Sequence, residues 1–283
     1  MTEQSIRSSL KTIDINSAEV TLLLETEALF EAPNWSPCGE FLIYNQQGHL
    51  YRFDLATKTS SLINTDFAGR CNNDHGISPD GKQIVISHHF KEGESSSVIY
   101  TLPIEGGVPQ QVTQQWPSYW HGWSPDGQTL TYVGKRDEDY SIYGINVKGG
   151  DETRLTFSEG LDDGPEYSAD GQHIYYNSFA SGMMQIWRMR ADGTEHTQLI
   201  ESPHSDWFPH PSPDGKKLVF IRYMQDQRQG HPFGQDVKLM LFDIASQQLT
   251  DLTPVFFGGQ GTINVPSWSP DSAKIAFVSY QLV

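Results

Sequence analysis

Trp123-Ser124-Pro125-Asp126-Gly127 is the stretch of this chain from which the fold can be predicted. Pro presets φ at the second position of a tight turn and Gly accepts the positive φ that follows, so the stretch predicts a hairpin between two strands. The chain repeats it, with variations, at five other places. The other copies are Trp35-Ser36-Pro37-Cys38-Gly39, Ile77-Ser78-Pro79-Asp80-Gly81, Tyr167-Ser168-Ala169-Asp170-Gly171, Pro211-Ser212-Pro213-Asp214-Gly215 and Trp268-Ser269-Pro270-Asp271-Ser272.

The spacing of the six copies indicates a propeller. Their serines lie 42, 46, 44, 44 and 57 residues apart, and a period of about 40–45 residues is typical of a four-stranded propeller blade. Each copy is followed by short apolar or alternating runs of the kind that half-buried strands show. In the third repeat these runs are residues 128–132, 141–145 and 153–156. Each repeat is therefore predicted to form four strands.

The two ends of the chain predict how the ring closes. Only two strands of the last repeat fit before Val283, and residues 10–15 and 19–24 have the pattern of the third and fourth strands. Closure by strands from both termini leaves no free sheet edge. We predict an all-β protein: residues 1–283 form a single six-bladed β-propeller of four-stranded antiparallel blades, and N-terminal strands complete the C-terminal blade.

Composition excludes some classes of function. Lys and Arg total 19 against 35 Asp and Glu, a formal net charge of −16, whereas nucleic-acid binding needs a basic face. The acidity serves either solubility or a funnel that collects cations. No stretch approaches the roughly 18 apolar residues of a spanning helix, so no membrane insertion is expected. Without a visible signal peptide we expect a cytoplasmic protein, or a periplasmic one if a signal had been removed.

The repeated Trp-Ser-Pro-Asp-Gly, with Ile-Tyr and Leu-Thr strands after it, resembles the propeller repeats of TolB-like proteins over the whole chain. The resemblance is to the propeller without the separate N-terminal domain of TolB. It implies a six-bladed propeller and, as one function, a protein-interaction scaffold of the kind found in TolB-type translocation systems. Because propellers host scaffolds and enzymes alike, the fold leaves the function open.

Propeller topology sorts the loops onto two faces. The Pro-Asp-Gly turns lie on one, which we call the turn face. The segments leading into each inner strand lie on the other, which we call the mouth face. Of the ten histidines only His173 and His196 are expected away from the mouth face. Because ring mouths are common ligand sites, this asymmetry is the strongest functional signal in the chain.

His75 and His121 are the candidate catalytic residues. Each lies three residues before the serine of its repeat, where other repeats have Pro. Imidazoles there could act as acid and base near neutral pH, or each could simply fill the Pro position and bond a backbone carbonyl. Three aspartates begin inner strands: Asp162, Asp163 and Asp206. Together with His75 and His121 they are predicted as ligands of a divalent metal (Ca, Mn or Zn). The alternative for the aspartates is strand capping by Asx-turns.

Other mouth-face residues are predicted to bind a ligand through polar groups or by ring stacking. For the tryptophans the alternative is packing between blades. The predicted ligand-binding residues are Asn73, Asp74, Tyr119, Trp120, Trp207, His210, Arg222, His231, Gln260 and Asn264. No nucleophile motif is readable, and Cys38 and Cys71 are expected at opposite ends of the ring, too far apart for a disulfide.

Two hypotheses follow. In the first, the funnel binds a small polar ligand, a saccharide with or without a divalent metal, and any catalysis is that of a metal-assisted carbohydrate lyase or hydrolase. In the second, the protein is a non-catalytic scaffold with a protein partner. The crowding of His, Asp and Asn at the mouth favours the small ligand, and the sequence leaves open whether anything turns over.

Overall fold

The computed structural model describes residues 5–92 and 95–283. Across these residues the chain forms 24 strands in six antiparallel sheets and no helix. Each sheet is one blade of a ring. The described residues accordingly contain no helix of the length and hydropathy needed to cross a membrane.

The blades follow one another along the chain, with the hairpin of β1 (Ile6–Asp14) and β2 (Val20–Thr26) before them. Blades 1 and 2 are β3 (Glu31–Trp35), β4 (Phe41–Gln46), β5 (His49–Asp54), β6 (Thr59–Leu62) and β7 (Cys71–Ile77), β8 (Gln83–His89), β9 (Ser97–Pro103), β10 (Gln110–Gln111). Blades 3 and 4 are β11 (Ser118–Trp123), β12 (Thr129–Lys135), β13 (Tyr140–Asn146), β14 (Thr153–Arg154) and β15 (Asp162–Tyr167), β16 (His173–Ser178), β17 (Gln185–Arg190), β18 (Thr197–Gln198). Blade 5 is β19 (Ser205–Pro211), β20 (Lys217–Tyr223), β21 (Phe233–Asp243) and β22 (Gln248–Asp251), with β23 (Phe256–Gly259) paired to β21; β24 (Lys274–Leu282) is the last strand.

The repeated turn has the hydrogen bonds that its sequence predicts. In the third copy the Ser124 hydroxyl donates to Asp126 at 2.6 Å and accepts from the Thr129 N–H at 2.9 Å. Gly127 follows with φ +68°, a conformation that glycine adopts at no steric cost. Each copy thus fixes the hairpin between the first and second strands of its blade.

Strands from both termini close the ring, as predicted. β1 pairs with β24 from Ile6↔Leu282 to Asp14↔Lys274, and β2 lies outside β1. The inner strand of this blade is reduced to a bridge between Trp268 and Ile275, supported by bonds such as that from the Ala276 N–H to Ser267 O at 2.8 Å. The insertion that precedes it forms β23, which pairs with β21 instead.

The apolar side chains of neighbouring blades pack together between the sheets. Trp123 joins a cluster that contains residues of several blades, and the Trp268 indole N–H donates to His210 O of the next blade at 2.9 Å. Both tryptophans therefore pack between blades, as expected. Cys38 is exposed and Cys71 is buried, and both are free, in agreement with the prediction that no disulfide joins them.

The inner strands carry bulges, which decide which side chains face the axis. In β3, β15 and β19 the register of pairing shifts in mid-strand. A residue at the same place in each bulge has a left-handed backbone: Ala32 with φ 56°, Gly164 with φ 61° and Phe208 with φ 54°. Such bulges re-aim side chains and are frequent beside functional sites.

Candidate axial binding site

A cavity of about 480 Å³ opens at the mouth face. Four of the six blades contribute to its wall, together with the two insertions that follow β20 and β22. The lining residues are Asn72, Asp74, His89, Tyr119, His121, Val133, Tyr140, Leu161, Asp163, Phe208, Gln229, His231 and Gln260. A wall that combines apolar and aromatic side chains with convergent polar groups is typical of a small-molecule site.

Asp163 is the centre of the polar wall. Its Oδ1 lies 3.1 Å from His121 Nε2, and its Oδ2 lies 3.7 Å from His231 Nε2. The N–H of Gly164 also donates to Oδ1, at 2.6 Å. These three groups come from blade 3, blade 4 and the insertion of blade 5, so one carboxylate links the elements around the cavity.

The charges in this cluster support one another. Burial alone would lower the pKa of His121, but its bond to Asp163 and the charges of Asp74 and Asp163 outweigh burial and raise it. Burial would raise the pKa of Asp163, yet the bond to His121 and the charges of the two imidazoles lower it. Burial lowers the pKa of His231. The cluster therefore favours the ionised form of Asp163 and the protonated form of His121, whereas burial favours the neutral form of His231.

Asp74 is a second buried acid with a different environment. Burial is the largest cause that raises its pKa to about 6; the charge of Asp163 also raises it, while His121 and Asn72 lower it. The Asn72 amide donates to Asp74 Oδ2 at 2.6 Å. A carboxyl group that titrates near neutral pH inside a cavity is suited to exchanging protons with a ligand.

Aromatic rings hold the imidazoles and form the apolar part of the wall. Phe208 stacks on His121 with a centroid distance of 5.8 Å and meets His231 edge-on at 5.1 Å. Tyr119 lies edge-on to His89 at 6.2 Å. The left-handed backbone of Phe208 places its ring between the two imidazoles, so the bulge in β19 directly shapes the site.

One further cavity adjoins the axial cavity, and another lies on the turn face. One of about 290 Å³ shares Asn72 and Gln260 with the axial cavity and is lined by Glu31, whose pKa is raised mainly by burial. Another of about 310 Å³ lies among the Pro-Asp-Gly turns and is lined in part by Glu166. Glu166 Oε2 lies 2.6 Å from His210 Nδ1, and the other ring nitrogen of His210 contacts Ile263 O. His210 thus ties three blades together and leaves the axial cavity to other groups.

The structure brings six of the predicted residues to the wall of the axial cavity. They are Asp74, Tyr119, His121, Asp163, His231 and Gln260. Asn73 lines the adjoining 290 Å³ cavity. Asn264 lies near His121, but its side-chain oxygen accepts from the Gly261 N–H at 2.6 Å.

His75 and His121 share a sequence position but face different ways. In β11 the register shift falls between Trp120 and Gly122, so His121 is the unpaired residue and turns to the axis. In β7 the shift falls between Cys71 and His75, so His75 stays in the ladder. His75 therefore takes the core-facing position that Trp120 takes in blade 3.

The surroundings of His75 fit the structural alternative. Its side chain is fully buried, its Nε2 lies 3.4 Å from the Ile43 carbonyl oxygen, and burial lowers its pKa to about 4. It does not line the axial cavity. The structure thus corrects the expectation that His75 and His121 act together as acid–base groups or metal ligands.

Asp162, Asp206 and Arg222 are also placed away from the cavity. Successive side chains of a strand point to opposite faces, so Asp162 turns away from the site that Asp163 faces. It accepts from the Ser158 hydroxyl, and Asp206 accepts from Ser202 in the equivalent way at 3.1 Å. Arg222 donates twice to Asp206, at 2.7 Å each. The two aspartates cap the starts of their strands, and Arg222 neutralises one of them.

Trp120 and Trp207 are fully buried and do not stack on a ligand. A Cβ added at Gly76 would lie 2.0 Å from the Trp120 ring, which shows how closely this indole packs on blade 2. Trp207 packs behind His231, with a centroid distance of 4.7 Å. Both indoles therefore pack between blades, which was the alternative to ring stacking on a ligand.

The five residues predicted as metal ligands do not converge. Only His121 and Asp163 meet, and within the described ranges no group of three His, Cys, Asp or Glu side chains has the arrangement that a metal ion needs. His121 and His231 direct the same type of ring nitrogen, Nε2, at Asp163 itself. As placed in the described ranges, these residues do not form a set of metal ligands.

Several wall residues were not among the predicted site residues, although His89 was expected on the mouth face. They are Asn72, His89, Val133, Tyr140, Leu161, Phe208 and Gln229. One signal for Phe208 was available, because Gly164 occupies the same position relative to its serine and indicates a left-handed backbone there. Gln229 carried no such signal: its side-chain oxygen accepts from the Leu161 N–H at 2.8 Å, a contact 68 residues apart in sequence.

Comparisons with known proteins agree with the fold. Residues 117–263 match the TolB beta propeller domain family. Uncharacterized protein Atu1656 of Agrobacterium fabrum is 48% identical over 277 residues, which are 98% of this chain and 93% of that protein. A solved structure from Agrobacterium tumefaciens, named as a TolB candidate, matches with a TM-score of 0.94 and 48% identity over 99% of this chain and 100% of that one.

A more distant match shows the fold alone. TolB of Acinetobacter baumannii has a TM-score of 0.69 and 19% identity, over 90% of this chain and 64% of that one. Family match, near relative and ring architecture agree, and this chain belongs to the TolB beta-propeller domain family.

Proposed function

We propose that the axial cavity binds a small polyhydroxylated ligand of the saccharide class. The observation that carries the proposal is the buried carboxylate of Asp163, held between His121 at 3.1 Å and His231 at 3.7 Å in the wall of a cavity of about 480 Å³. Buried polar groups that no other requirement of the fold explains are candidates for ligand binding.

The cavity wall supplies what a sugar needs. Amide, imidazole and carboxylate groups can donate to and accept from hydroxyls, and the rings of Tyr119, Tyr140 and Phe208 offer apolar faces for the C–H side of a sugar ring. The volume of about 480 Å³ lies in the range of small-molecule sites. The adjoining cavity beside Glu31 gives room for a ligand longer than one ring.

The site also has groups for proton transfer. The carboxyl of Asp74 has its pKa raised to about 6, mainly by burial, and Asp163 raises the pKa of His121 against the effect of burial. A buried carboxyl that titrates near neutral pH and a neighbouring imidazole are groups that general acid–base catalysis uses. We assign any lyase or hydrolase chemistry in this protein to Asp74 and His121.

The test is a binding screen of neutral and charged mono- to trisaccharides, first by melting temperature and then by calorimetry. A true ligand stabilises the folded protein by mass action. Tyr119→Ala should reduce that stabilisation, because its ring lines the cavity, whereas Tyr51→Ala should not, because Tyr51 stacks on Tyr44 in the outer part of blade 1. No stabilisation by any saccharide would refute the proposal.

A protein partner is the second candidate, and a separate observation favours it. Phe67, Trp116 and Phe157 are 51%, 51% and 72% exposed, and each lies in the segment before an inner strand, that is, on the mouth face. Exposed rings around a mouth are typical of protein interaction surfaces. Replacing the three by Ser should abolish partner capture while saccharide binding persists; unchanged capture would refute this candidate.

A further inference from the structure

The geometry points to a ligand that carries a protonated amine, with an amino sugar as its chemical class and Asp74 as the group that recognises the ammonium. This inference rests on the proposed function, since it specifies the ligand of the same cavity. It rests on the excess of acidic side chains over Lys and Arg in the cavity wall.

The wall has acids but no permanent cation. Its described residues include Asp74 and Asp163, three imidazoles and no Lys or Arg, and the adjoining cavity adds Glu31 and again no Lys or Arg. Lys135 approaches the outside of the wall, where its ammonium lies 5.6 Å from the ring centroid of Tyr140. A ligand carboxylate or phosphate would therefore enter a site without a free cation to receive it.

Among the described wall residues, the imidazole whose protonated form is favoured is already engaged. His121 directs Nε2 to Asp163 at 3.1 Å, so its charge is largely used within that pair. Asp74 receives a neutral amide hydrogen from Asn72 at 2.6 Å. The other groups that act on Asp74 electrostatically are His121 from β11, Asp163 from β15 and Glu31 from β3, two acids and the engaged imidazole.

A ligand ammonium would relieve this imbalance. An ionised carboxylate that is buried without a cation is unfavourable, and an ammonium beside it supplies the missing charge and a charge-assisted hydrogen bond. The rings of Tyr119 and Tyr140 in the same wall can also attract a cation through their faces. An acidic sugar would instead add a negative charge next to Asp74 and Asp163.

Three probes of one shape test the inference: glucosamine, glucose and glucuronate, which differ mainly in charge. At pH 7 glucosamine should bind about tenfold or more tightly than glucose, since a hydrogen bond to a charged group contributes more than a neutral one, and glucuronate should bind most weakly. Asp74→Asn should bring glucosamine to the affinity of glucose. Glu105→Gln, an exposed acid in the turn between β9 and β10, is the matched control and should change nothing.

The pH dependence gives an independent readout. Between pH 5 and 7 a sugar amine stays protonated while Asp74, with its pKa raised to about 6 by burial, becomes ionised. Glucosamine affinity should therefore rise over this interval and glucose affinity should stay nearly constant. Binding of glucosamine should also lower the pKa of Asp74, which carbon NMR of the labelled carboxyl can follow.

The outcomes separate the two proposals. If glucuronate or glucose binds the wild-type protein as tightly as glucosamine does, the inference is refuted while saccharide binding stands. If other saccharides stabilise the protein and none of these three does, the amine inference is again refuted and the proposed function survives. If no saccharide binds at all, the proposed function fails and the inference fails with it.

Discussion

Asp163 and Asp74 are two buried acids of the cavity wall, and their pKa values shift in opposite directions because their partners differ. Asp163 has an imidazole at each oxygen and its pKa is lowered, whereas Asp74 has an amide partner and its pKa is raised to about 6 by burial. Burial penalises the charged form of both, and the imidazoles and hydrogen bonds around Asp163 outweigh that penalty whereas those around Asp74 do not. The division of the site into a fixed ion pair and a titratable acid follows from this difference.

Asp74→Asn should stabilise the protein above pH 6. The folded-state pKa of about 6 exceeds the ordinary value of 3.8, so between those values folding requires a proton, and wild-type stability falls as pH rises through that window. For a pKa shift of about two units the loss in the free energy of unfolding approaches about 3 kcal/mol. The Asn variant has no ionisable group at this position and does not show this loss. Urea unfolding at pH 4, 5, 6 and 7 should show a growing advantage for the variant; an advantage that does not change with pH would contradict the account.

Asp163→Asn should lower the pKa of the His121 imidazole. Without the carboxylate, burial becomes the dominant cause, and burial disfavours the charged ring. An NMR titration of the His121 ring measures the change directly. Asp162→Asn is the matched control, because that neighbouring side chain faces Ser158 and away from the cavity. Equal shifts in both variants, or none in either, would be inconsistent with the assigned pair.

At the level of strands, the bulges explain why part of the site could not be predicted. The repeat spacing correctly predicted which segments reach the mouth face, and His121 and Asp163 were found in this way. It could not predict that β7 and β11 place their register shifts differently, which buries His75 and turns His121 to the axis. A one-residue difference in register changes the face of a side chain, and the repeat sequence does not specify it.

The close packing of β11 against β7 is testable through one glycine. Gly76→Ala should destabilise the protein by about 1–3 kcal/mol or more, because the added Cβ would lie 2.0 Å from the buried Trp120 ring and the rigid indole must shift. Gly144→Ala is the control, since the nearest atoms to its Cβ would be side-chain methyls at 3.7 and 3.9 Å. Denaturant unfolding of both variants measures the difference. Equal stability would mean that the inner strands are less tightly packed than the structure indicates.

The ring as a whole was the part most completely predicted. Six turns that share a backbone N–H bond to the serine hydroxyl specify six hairpins, and the strands left over at each terminus specify closure. The contributions of the insertions were harder to predict, because Gln229 and His231 reach the cavity through contacts with β15 and β19 that are distant in sequence. Local sequence thus predicts the scaffold, whereas the three-dimensional folding of the long loops decides which of their side chains reach the mouth.

Removal of residues 1–26 should destroy closure. It would take away β1 and β2 and leave β24 with an unpaired edge along nine residues, from Lys274 to Leu282. Exposed edges promote aggregation, so we expect aggregation or a large fall in melting temperature. A chain without residues 1–26 that melts like the full protein would contradict the closure described above.

The most direct test of the axial site follows the ten histidine side chains by NMR while the tightest-binding saccharide of the screen is added. His89, His121 and His231 line the cavity, whereas His173 begins β16 at the turn face and His196 bonds Tyr176 at 2.9 Å away from the cavity. The account predicts that the ring signals of the first three shift together with ligand concentration and that those of His173 and His196 stay fixed. Ligand-dependent shifts at His173 or His196, with none at His121, would contradict it.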